Sequence, residues 1–469
     1  MIPRSFEIRR PLPALAVMVA TSAALVLNAP PALAQHPEPP AGGTLSHAVV
    51  TATVDSAFAL LRASYDSRSR EVARWDSLQF VLRERVRDIR TIGELRAVLD
   101  TMIAHTRESH FSLVPREAAV SARNDRADGR HMDGPPGDAG FEVRLRADGF
   151  LVTRVEPLSP AGRAGVRPGW LLLSVDDLDA HVLHREVEDI ADSTAKRRAI
   201  VDATMTVMRA THGPAGTRMT AGFRDEYNQP RSLRLVRRET PGQLVRFGNL
   251  PTTVQRFEYQ RLERAAGCIG VLRFNVWLPA LAKSVAAAMD SLSGCSGIVI
   301  DLRGNTGGVA AMIIGIAGYF VDEPRLLGTL RTRTGELRFT ANPRVANDRG
   351  EPISPHLGPL ALLVDELSVS TTELFASAMQ SSGRARIFGE RTAGQAQPSM
   401  LTRLPSGDLL LHVVADFVSP DGHAVEGVGV VPDVVAPWSR PALLAGQDSA
   451  LVAAVRWIDG QPLTLRAKD

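Results

Sequence analysis

Lysine is nearly absent from this 469-residue chain, and its basic residues are almost all arginine. Lys and Arg together number 54 against 51 Asp and Glu, so the formal charge is only +3. The sequence pI of about 9.1 therefore reflects arginine in place of lysine. Because the charges nearly balance and form no basic patch, the composition excludes a nucleic-acid partner.

Long apolar runs are absent after residue 34, which excludes a later helix long enough to cross a bilayer. Residues 1–34 combine a basic start, an apolar run and an Ala-Leu-Ala site ending at Ala34, which is typical of a secretory signal peptide. An uncleaved membrane anchor is the alternative, but prolines interrupt the run. We therefore expect a periplasmic or secreted protein, with no stable membrane insertion after signal cleavage.

Cysteine is scarce as well, with only Cys268 and Cys295 in the chain. Each begins an apolar strand, in CIGVLRF and CSGIVIDL, with one helix between them. If these strands are neighbours in a parallel sheet, the two side chains lie side by side at its amino edge. A disulfide formed in an oxidising compartment and a pair of buried thiols are both consistent with this pattern.

Patterns of metal ligands are also missing. The histidines are scattered, and the pair His181 and His184 has no glutamate partner at ligand spacing. The glycine-rich segment 303–308 lacks the lysine and the hydroxyl of a phosphate-binding loop. The sequence therefore predicts neither a metal site nor a cofactor.

The patterns that are present divide the chain after the signal peptide into four parts. Residues 35–120 repeat apolar positions at three- and four-residue steps, which predicts a helical region. Residues 136–240 contain short alternating strands, as in GFEVRLRADGFLVTRV, and indicate a small β-rich domain. Residues 245–440 alternate apolar strands with helices, which predicts an α/β domain with a parallel sheet, and residues 441–469 form a C-terminal extension.

Two strand–turn–helix segments of the α/β domain contain the candidate catalytic residues. GIVIDLRGNTGG (297–308) ends in a glycine-rich loop, and PLALLVDELSVSTTELFASAM (359–379) ends in small hydroxylated residues that open a helix. Turns of this kind meet at the carboxyl edge of a parallel sheet. Backbone N–H groups of Gly307 or Gly308 with that of Thr371 would form an oxyanion hole, and Ser370 would be the nucleophile of a hydrolase.

Other interpretations of these turns stay open at this level. Ser370-Thr371-Thr372-Glu373 is also a capping box, in which the serine has only a structural role. Ser368 is a second candidate nucleophile, and the glycine loop alone is compatible with a simple tight turn. A serine nucleophile needs a lysine or histidine as its base, and spacing does not choose among the histidines.

The motifs DLRGNTGG, VDELSVSTTELFASAMQSSGRARIFGERTAGQ and DGHAVEGVGVVPDV resemble the C-terminal processing (tail-specific) serine peptidases and the related tricorn core proteases. The resemblance extends over nearly all of the mature chain. It implies a crotonase-like ββα catalytic core, an N-terminal helical region that contributes to the catalytic site, and an inserted PDZ-like domain at residues 136–240.

The resemblance also implies roles for individual residues. In the tail-specific branch the second serine of the SxS turn, here Ser370, is the nucleophile, but Gln395 stands where that branch has its lysine. The tricorn type uses a histidine with a neighbouring serine and a distant glutamate. Matching positions are Ser109 and His110 in RESHFSLVP and Glu426 in VEGVGVVPDV. His110 would then be the general base, oriented by Ser109 and Glu426. Glu108 replaces a more usual aspartate, and His105 lies outside the motif.

In a PDZ domain, backbone N–H groups of one loop hold the carboxylate of a peptide. That loop would be 138–141, with Gly140 and Phe141 as the peptide-binding residues, although Pro168-Gly169-Trp170 departs from the usual motif. The domain would otherwise be a lid or a structural cap. The expected function is an exported serine endopeptidase that acts on peptides or proteins through an acyl-enzyme. The alternatives are an inactive peptide- or ligand-binding protein with the same fold, and an esterase.

Overall fold

The computed structural model describes residues 44–64, 78, 82, 85–106, 109–116, 134–248, 252–264, 267–332 and 335–460. The predicted signal peptide, Glu108, the side chain of His105 and residues 461–469 lie outside the described residues. Within the described ranges, no helix is both long enough and apolar enough to span a bilayer.

The N-terminal region packs against the catalytic part of the chain. Its elements are α1 (His47–Ser64), α2 (Ile92–Thr106) and β1 (Ser112–Val114). The buried faces of both helices share a core cluster with Leu404, Leu410 and Val413, which come from a hairpin more than 290 residues later. Short β1 extends the sheet of this hairpin. The segment that connects α2 to β1 carries Ser109 and His110, so their position is set by packing at both of its ends.

The inserted module is rich in β-structure, as the alternating strands predict. Its elements in chain order are β2 (Pro136–Asp138), β3 (Phe141–Arg146), β4 (Gly149–Val155), α3 (Pro160–Arg163), β5 (Leu171–Val175), β6 (Leu178–Asp179), α4 (Ala180–Glu188), α5 (Ser193–Thr211), β7 (Gly213–Pro214), β8 (Arg218–Arg224), β9 (Pro230–Val236) and β10 (Arg238–Glu239). The main sheet has the order β3-β4-β5-β8-β9, and β6 pairs with β5. β3 is an edge strand of this sheet and packs beside α5.

The rest of the chain contains the largest core and several antiparallel hairpins. Its elements are β11 (Gln243–Val245), β12 (Thr253–Gln255), β13 (Phe257–Arg264), β14 (Gly267–Phe274), α6 (Leu281–Ser291), β15 (Gly297–Asp301), α7 (Met312–Ala317), β16 (Arg325–Thr332), β17 (Gly335–Ala341), β18 (Leu360–Val364), α8 (Thr371–Ser381), β19 (Arg386–Gly389), β20 (Ser399–Arg403), β21 (Leu409–Val413), β22 (Asp416–Val418), β23 (Val434–Val435), α9 (Arg440–Leu444) and α10 (Ser449–Ile458). The strands β16 and β17 form one hairpin, and β20 and β21 form another.

A six-stranded sheet of order β13-β14-β15-β18-β19-β23 organises this region. All its neighbouring pairs are parallel except β13–β14. Helices α6, α7 and α8 pack on one face, and α10 covers the other. A mixed α/β fold with several sheets is thereby confirmed. The segment predicted as a C-terminal extension supplies the helix of the second face.

Cys268 and Cys295 form a disulfide at the amino edge of this sheet. Cys268 lies in β14 and Cys295 shortly precedes β15, and these strands are parallel neighbours. The register of the sheet therefore places the two cysteines side by side, as the pattern of the sequence predicted.

Buried ion pairs join the inserted module to the catalytic sheet. Arg144 Nε on β3 donates to Asp365 Oδ2 at 2.6 Å, and both side chains are about 1% exposed. Two residues further along the same strand, Arg146 pairs with Glu366 at 3.0 Å and also with Glu390. β3 is thus attached by two arginines to the loops that follow β18 and β19.

Candidate active site

Ser370 sits in a strained turn between β18 and α8. Its backbone has φ 59° and ψ −123°, a region that non-glycine residues rarely adopt. A serine that only caps a helix has an extended backbone, as the N-cap Ser439 does with φ −126° and ψ 120°. The strain at Ser370 is held by the Val369 N–H, which donates to Asn305 O at 3.0 Å, and by the Ser370 N–H, which donates to Gln395 O at 2.8 Å.

The glycine-rich loop lies directly against this turn. Its Asn305 side chain is fully buried, donates to Phe274 O at 3.0 Å and accepts from Thr372 Oγ1 at 2.9 Å. Asn305 Oδ1 also accepts the Gly307 N–H at 3.0 Å. The Gly307 N–H is thus engaged in shaping the loop, which favours Gly308 of the two glycines predicted as oxyanion donors.

Two backbone N–H groups remain for an oxyanion. Among the described residues, the N–H groups of Gly308 and Thr371 have no hydrogen-bond acceptor. Gly308 has φ +139°, and its neighbours on either side are fixed by hydrogen bonds to the backbone of Trp277. The Thr371 side chain donates to Gly308 O at 2.9 Å and ties the two donor residues together. The pair Gly308 and Thr371 thus stays as the predicted oxyanion hole.

A relay of hydrogen bonds runs from His110 through Ser109 to Glu426 and so connects two distant segments of the chain. His110 Nδ1 lies 2.8 Å from Ser109 Oγ, and the Ser109 hydroxyl donates to Glu426 Oε1 at 2.8 Å. Since that hydroxyl gives its only proton to the carboxylate, it accepts from Nδ1–H. This leaves Nε2 of His110 with a free lone pair, the form that a general base needs. Glu426 is itself held by the Ala396 N–H at 2.7 Å.

The electrostatics keep the imidazole neutral. Desolvation, followed by the charge of Arg198, lowers the pKa of His110 to about 4. Arg198 comes from α5 of the inserted module and lies 3.5 Å from Glu426. Burial raises the pKa of Glu426, while its hydrogen bonds from Ala396 and Ser109 and the charge of Arg198 act in the opposite direction. At neutral pH the ring is therefore unprotonated and ready to accept a proton.

One cavity brings the serine and the histidine together. This catalytic cavity has a volume of about 500 Å³, and Ser370, His110, Gly307, Gly308 and Gln395 are among its lining residues. In the described part of the chain, no hydrogen bond connects Ser370 Oγ with the His110 ring. Catalytic hydrogen bonds are often long in unliganded enzymes and shorten when substrate binds.

Glu373 is a site residue that the sequence identified only as a helix cap. Its fully buried carboxylate accepts the Ser370 N–H at 3.2 Å and the N–H groups of Gly394 and Gln395 at 2.7 and 2.9 Å, along with the Thr392 hydroxyl. Desolvation raises the pKa of Glu373 to about 7 against the effect of these donors. Glu373 thus couples the Ser370 turn to the turn that carries Gln395. The sequence offered the capping box as a signal, but not these long-range partners.

The predicted peptide-binding loop lies next to the catalytic cavity. Gly140 and Phe141 line a second cavity of about 330 Å³ between β3 and α5, together with Met205 and Met208. Thr306 of the glycine-rich loop lines both cavities. Gly140 is pressed against Ser159, where a Cβ would stand 2.0 Å from the serine Cβ.

The search for metal ligands gave no site. Within the described ranges, no group of three or more His, Cys, Asp or Glu side chains is placed to hold a metal ion.

Comparison with known proteins shows that this chain is similar to peptidases. Residues 268–436 match the model of Peptidase family S41. A carboxyl-terminal-processing protease of Synechocystis is 26% identical over 301 residues, which are 63% of this chain and 61% of that protein. The resemblance to C-terminal processing peptidases is confirmed.

Two further matches agree with it. A probable CtpA-like serine protease of Staphylococcus aureus is 23% identical over 347 residues, 72% of this chain and 59% of that protein. The chain thus spans about 60% of the length of these curated relatives. The solved photosystem II D1 C-terminal processing protease shares the fold, with a TM-score of 0.55 at 21% identity over 87% of this chain and 99% of that chain. Together the matches support a serine-type peptidase.

Proposed function

We propose that this protein is an exported serine endopeptidase that cleaves peptides or unfolded proteins through an acyl-enzyme. The observation that carries the proposal is the relay from Glu426 through Ser109 to His110, which opens into the cavity of Ser370. A structural histidine would not need a half-buried carboxylate and a hydroxyl to fix its tautomer beside a strained serine.

Each step of the reaction has a group in place. Ser370 Oγ attacks the scissile carbonyl while His110 Nε2 accepts the hydroxyl proton. The N–H groups of Gly308 and Thr371 stabilise the negative oxygen, and a donor of this kind contributes ~3 kcal/mol to the transition state. His110 then gives its proton to the leaving amine, and a water activated by the same ring hydrolyses the acyl-enzyme. Ser109 and Glu426 act as positioning residues for the ring.

The proposal also covers the type of catalytic core and the role of the inserted module. We infer a crotonase-like core for the parallel sheet and a PDZ-like role for residues 136–240. The edge strand β3, helix α5 and the cavity between them at Gly140 and Phe141 support strand addition by a peptide. In this arrangement the groove and the catalytic cavity meet at Thr306.

Export is inferred from the N-terminal residues 1–34, which have the order of a signal peptide. The disulfide between Cys268 and Cys295 supports an oxidising compartment, because such bonds form and persist there. We therefore assign the mature protein to the periplasm or the extracellular space.

Gln395 is the observation that favours the alternative of an inactive binding protein. It occupies the place of the lysine of the tail-specific branch and lines the catalytic cavity. A glutamine cannot accept a proton, so activity depends on His110 alone.

Covalent labelling separates these two functions. A fluorophosphonate probe should label the wild type, and Ser370→Ala should abolish labelling. His110→Ala should reduce both labelling and peptide hydrolysis by about 10³-fold or more, as loss of a triad member does. Ser381→Ala, at the other end of α8, is the matched control and should label like the wild type. Absence of labelling in the wild type would support the binding protein, and labelling with hydrolysis of small esters alone would indicate an esterase.

A further inference from the structure

The catalytic cavity contains one charged side chain. With His110 neutral, the only formally charged residue that lines it among the described residues is Asp202. Most of the remaining surface is apolar and comes from Phe111, Phe247, Val276, Leu278, Leu401 and Leu411. An apolar cavity with a single carboxylate has the chemistry to recognise a side chain with an aliphatic stem and a cationic head.

The carboxylate of Asp202 is left without a partner. Within the described part of the chain it forms no hydrogen bond and no ion pair. The arginines of the same helix are engaged elsewhere: Arg198, one turn earlier, pairs with Glu426, and Arg209, two turns later, donates to Thr206 Oγ1 at 3.2 Å. Asp202 is exposed and lines the cavity, so its carboxylate is accessible to a bound side chain.

The position of Asp202 is fixed relative to the nucleophile, although it belongs to the inserted module. Val201 and Met205 of α5 pack against Leu367, Val369 and Ala393. Val369 directly precedes Ser370, and Ala393 lies in the turn bound by Glu373. The guanidinium of Arg197 also donates to Gly427 O at 2.7 Å, which fastens α5 to the loop of Glu426. Asp202 is thus held at the cavity by a rigid helix and not by a loop.

We propose that Asp202 is a specificity-determining residue that selects peptides with a lysine or arginine side chain close to the scissile bond. The proposal rests on the peptidase function proposed above and adds the substrate class. The aliphatic stem of the substrate side chain would cover the apolar lining while its ammonium or guanidinium binds the carboxylate. A neutral side chain of the same length would fill the same space but gain no ion pair with Asp202, which lowers its relative affinity.

Binding to the inactive Ser370→Ala protein tests recognition without catalysis. The probes are N-acetylated decapeptides with a free C-terminus that differ only in lysine or norleucine at one position, scanned along the peptide. At one position lysine should bind 10- to 100-fold more tightly, the range for a hydrogen bond to a charged group. Asp202→Asn in the same background should bring that ratio close to one, and Asp202→Lys should favour glutamate there. Glu186→Gln removes an exposed carboxylate of α4 and should leave the ratio unchanged.

Kinetics with the active enzyme completes the test. The ratio of kcat/KM for the lysine and norleucine peptides should fall about 10-fold or more in Asp202→Asn. An Asp202→Asn protein that keeps the lysine preference, or a wild type that has none, would overturn the proposal. A preference that appears only with unacetylated peptides would overturn it as well, because the carboxylate would then bind an α-amino group. Selective binding by Ser370→Ala combined with an unreactive wild type would support recognition of a cationic side chain by Asp202 but reject the peptidase function, and with it a role in cleavage specificity.

Discussion

Gly307 lies directly against the side chain of Ser370, where no other residue type would fit. A Cβ added at Gly307 would stand 2.6 Å from Ser370 Cβ and 3.1 Å from Thr371 N, and Gly307 has φ +93°. The two turns therefore interlock in a way that only glycine permits. The N–H of Gly307 is bound by Asn305, and the close approach of Gly307 fixes the positions of Ser370 and the Thr371 N–H.

The Gly307→Ala variant should lose activity because the new methyl group displaces Ser370 from the cavity. We expect kcat/KM to fall by about 100-fold or more, since misplacement by 1 Å is enough for such a loss. Gly315→Ala is the control: its Cβ meets nothing within 4 Å, and the residue lies inside α7. Peptide hydrolysis by Gly315→Ala should equal that of the wild type, and equal losses in both variants would contradict the role of Gly307.

Removal of the Ser109 hydroxyl should reduce turnover more than binding. Ser109→Ala breaks both hydrogen bonds of the relay, so the ring of His110 loses its preferred tautomer and orientation. By analogy with the orienting aspartate of serine proteases, we expect kcat to fall by about 10²- to 10⁴-fold with little change in KM. A Ser109→Ala enzyme with wild-type kcat would show that the relay is structural only.

The acid limb of the pH profile should lie unusually low. Because the folded-state pKa of His110 is about 4, the base stays neutral and kcat/KM should be half-maximal near pH 4 instead of near 6.5. Arg198→Gln removes a nearby positive charge and should move this midpoint upward. The same lowered pKa means that His110 contributes stability above pH 6.5, which is lost as the pH falls toward 4. A midpoint near 6.5 in the wild type would contradict a desolvated His110.

The side chain of Gln395 should matter little, whereas that of Glu373 should matter greatly. Gln395 holds Ser370 through its backbone carbonyl and binds Glu373 through its N–H. Gln395→Ala keeps both contacts, so we expect less than about a threefold change in kcat/KM. Glu373→Ala leaves several buried donors unpaired and should lower the free energy of unfolding by ~3 kcal/mol or more. Enzyme assays and urea unfolding measure the two effects. A large activity loss in Gln395→Ala would mean that the assigned base is wrong.

Loss of one member of the Arg144–Asp365 pair should destabilise the protein strongly. Arg144→Met leaves a fully buried carboxylate without its partner, which costs ~3–5 kcal/mol in the free energy of unfolding. The double variant Arg144→Met with Asp365→Asn should recover part of this loss, because the amide removes the unpaired charge while its oxygen still accepts the N–H groups of Gly304 and Leu367. Arg331→Ala breaks an exposed pair with Glu336 and should change the stability by about 0.5 kcal/mol or less. Urea denaturation of the four proteins provides the comparison.

Local sequence patterns predicted the catalytic strands closely, because their apolar runs and turn residues act over short distances. Strand Leu360–Val364 begins the predicted strand–turn–helix segment 359–379, and Ser370 opens helix α8 as the hydroxyl-rich turn indicated. The neighbouring positions of Cys268 and Cys295 also followed from the order of strands around one helix, although the sequence left a disulfide and two buried thiols both open. What these patterns share is that each depends on residues adjacent in sequence or on one βαβ unit.

Features that depend on contacts between distant segments could not be predicted from local sequence patterns. Spacing did not select His110, and only the family resemblance joined it to Glu426. The engagement of the Gly307 N–H depends on the rotamer of Asn305, and Asp202 enters the cavity from a module whose docking no local pattern describes. The hairpin of β16 and β17 was missed because its strands are half-exposed or exposed over most of their length and rich in arginine and threonine.

The bond between Ser109 and Glu426 spans 317 positions of the chain, and Ser370 lies between them. During synthesis the nucleophile therefore leaves the ribosome before the carboxylate that orients its base. A growing polypeptide has no assembled base until residue 426 has emerged and folded back onto the N-terminal helices. In the proposed peptidase, the order of the chain would therefore delay the onset of hydrolysis until that late segment is in place.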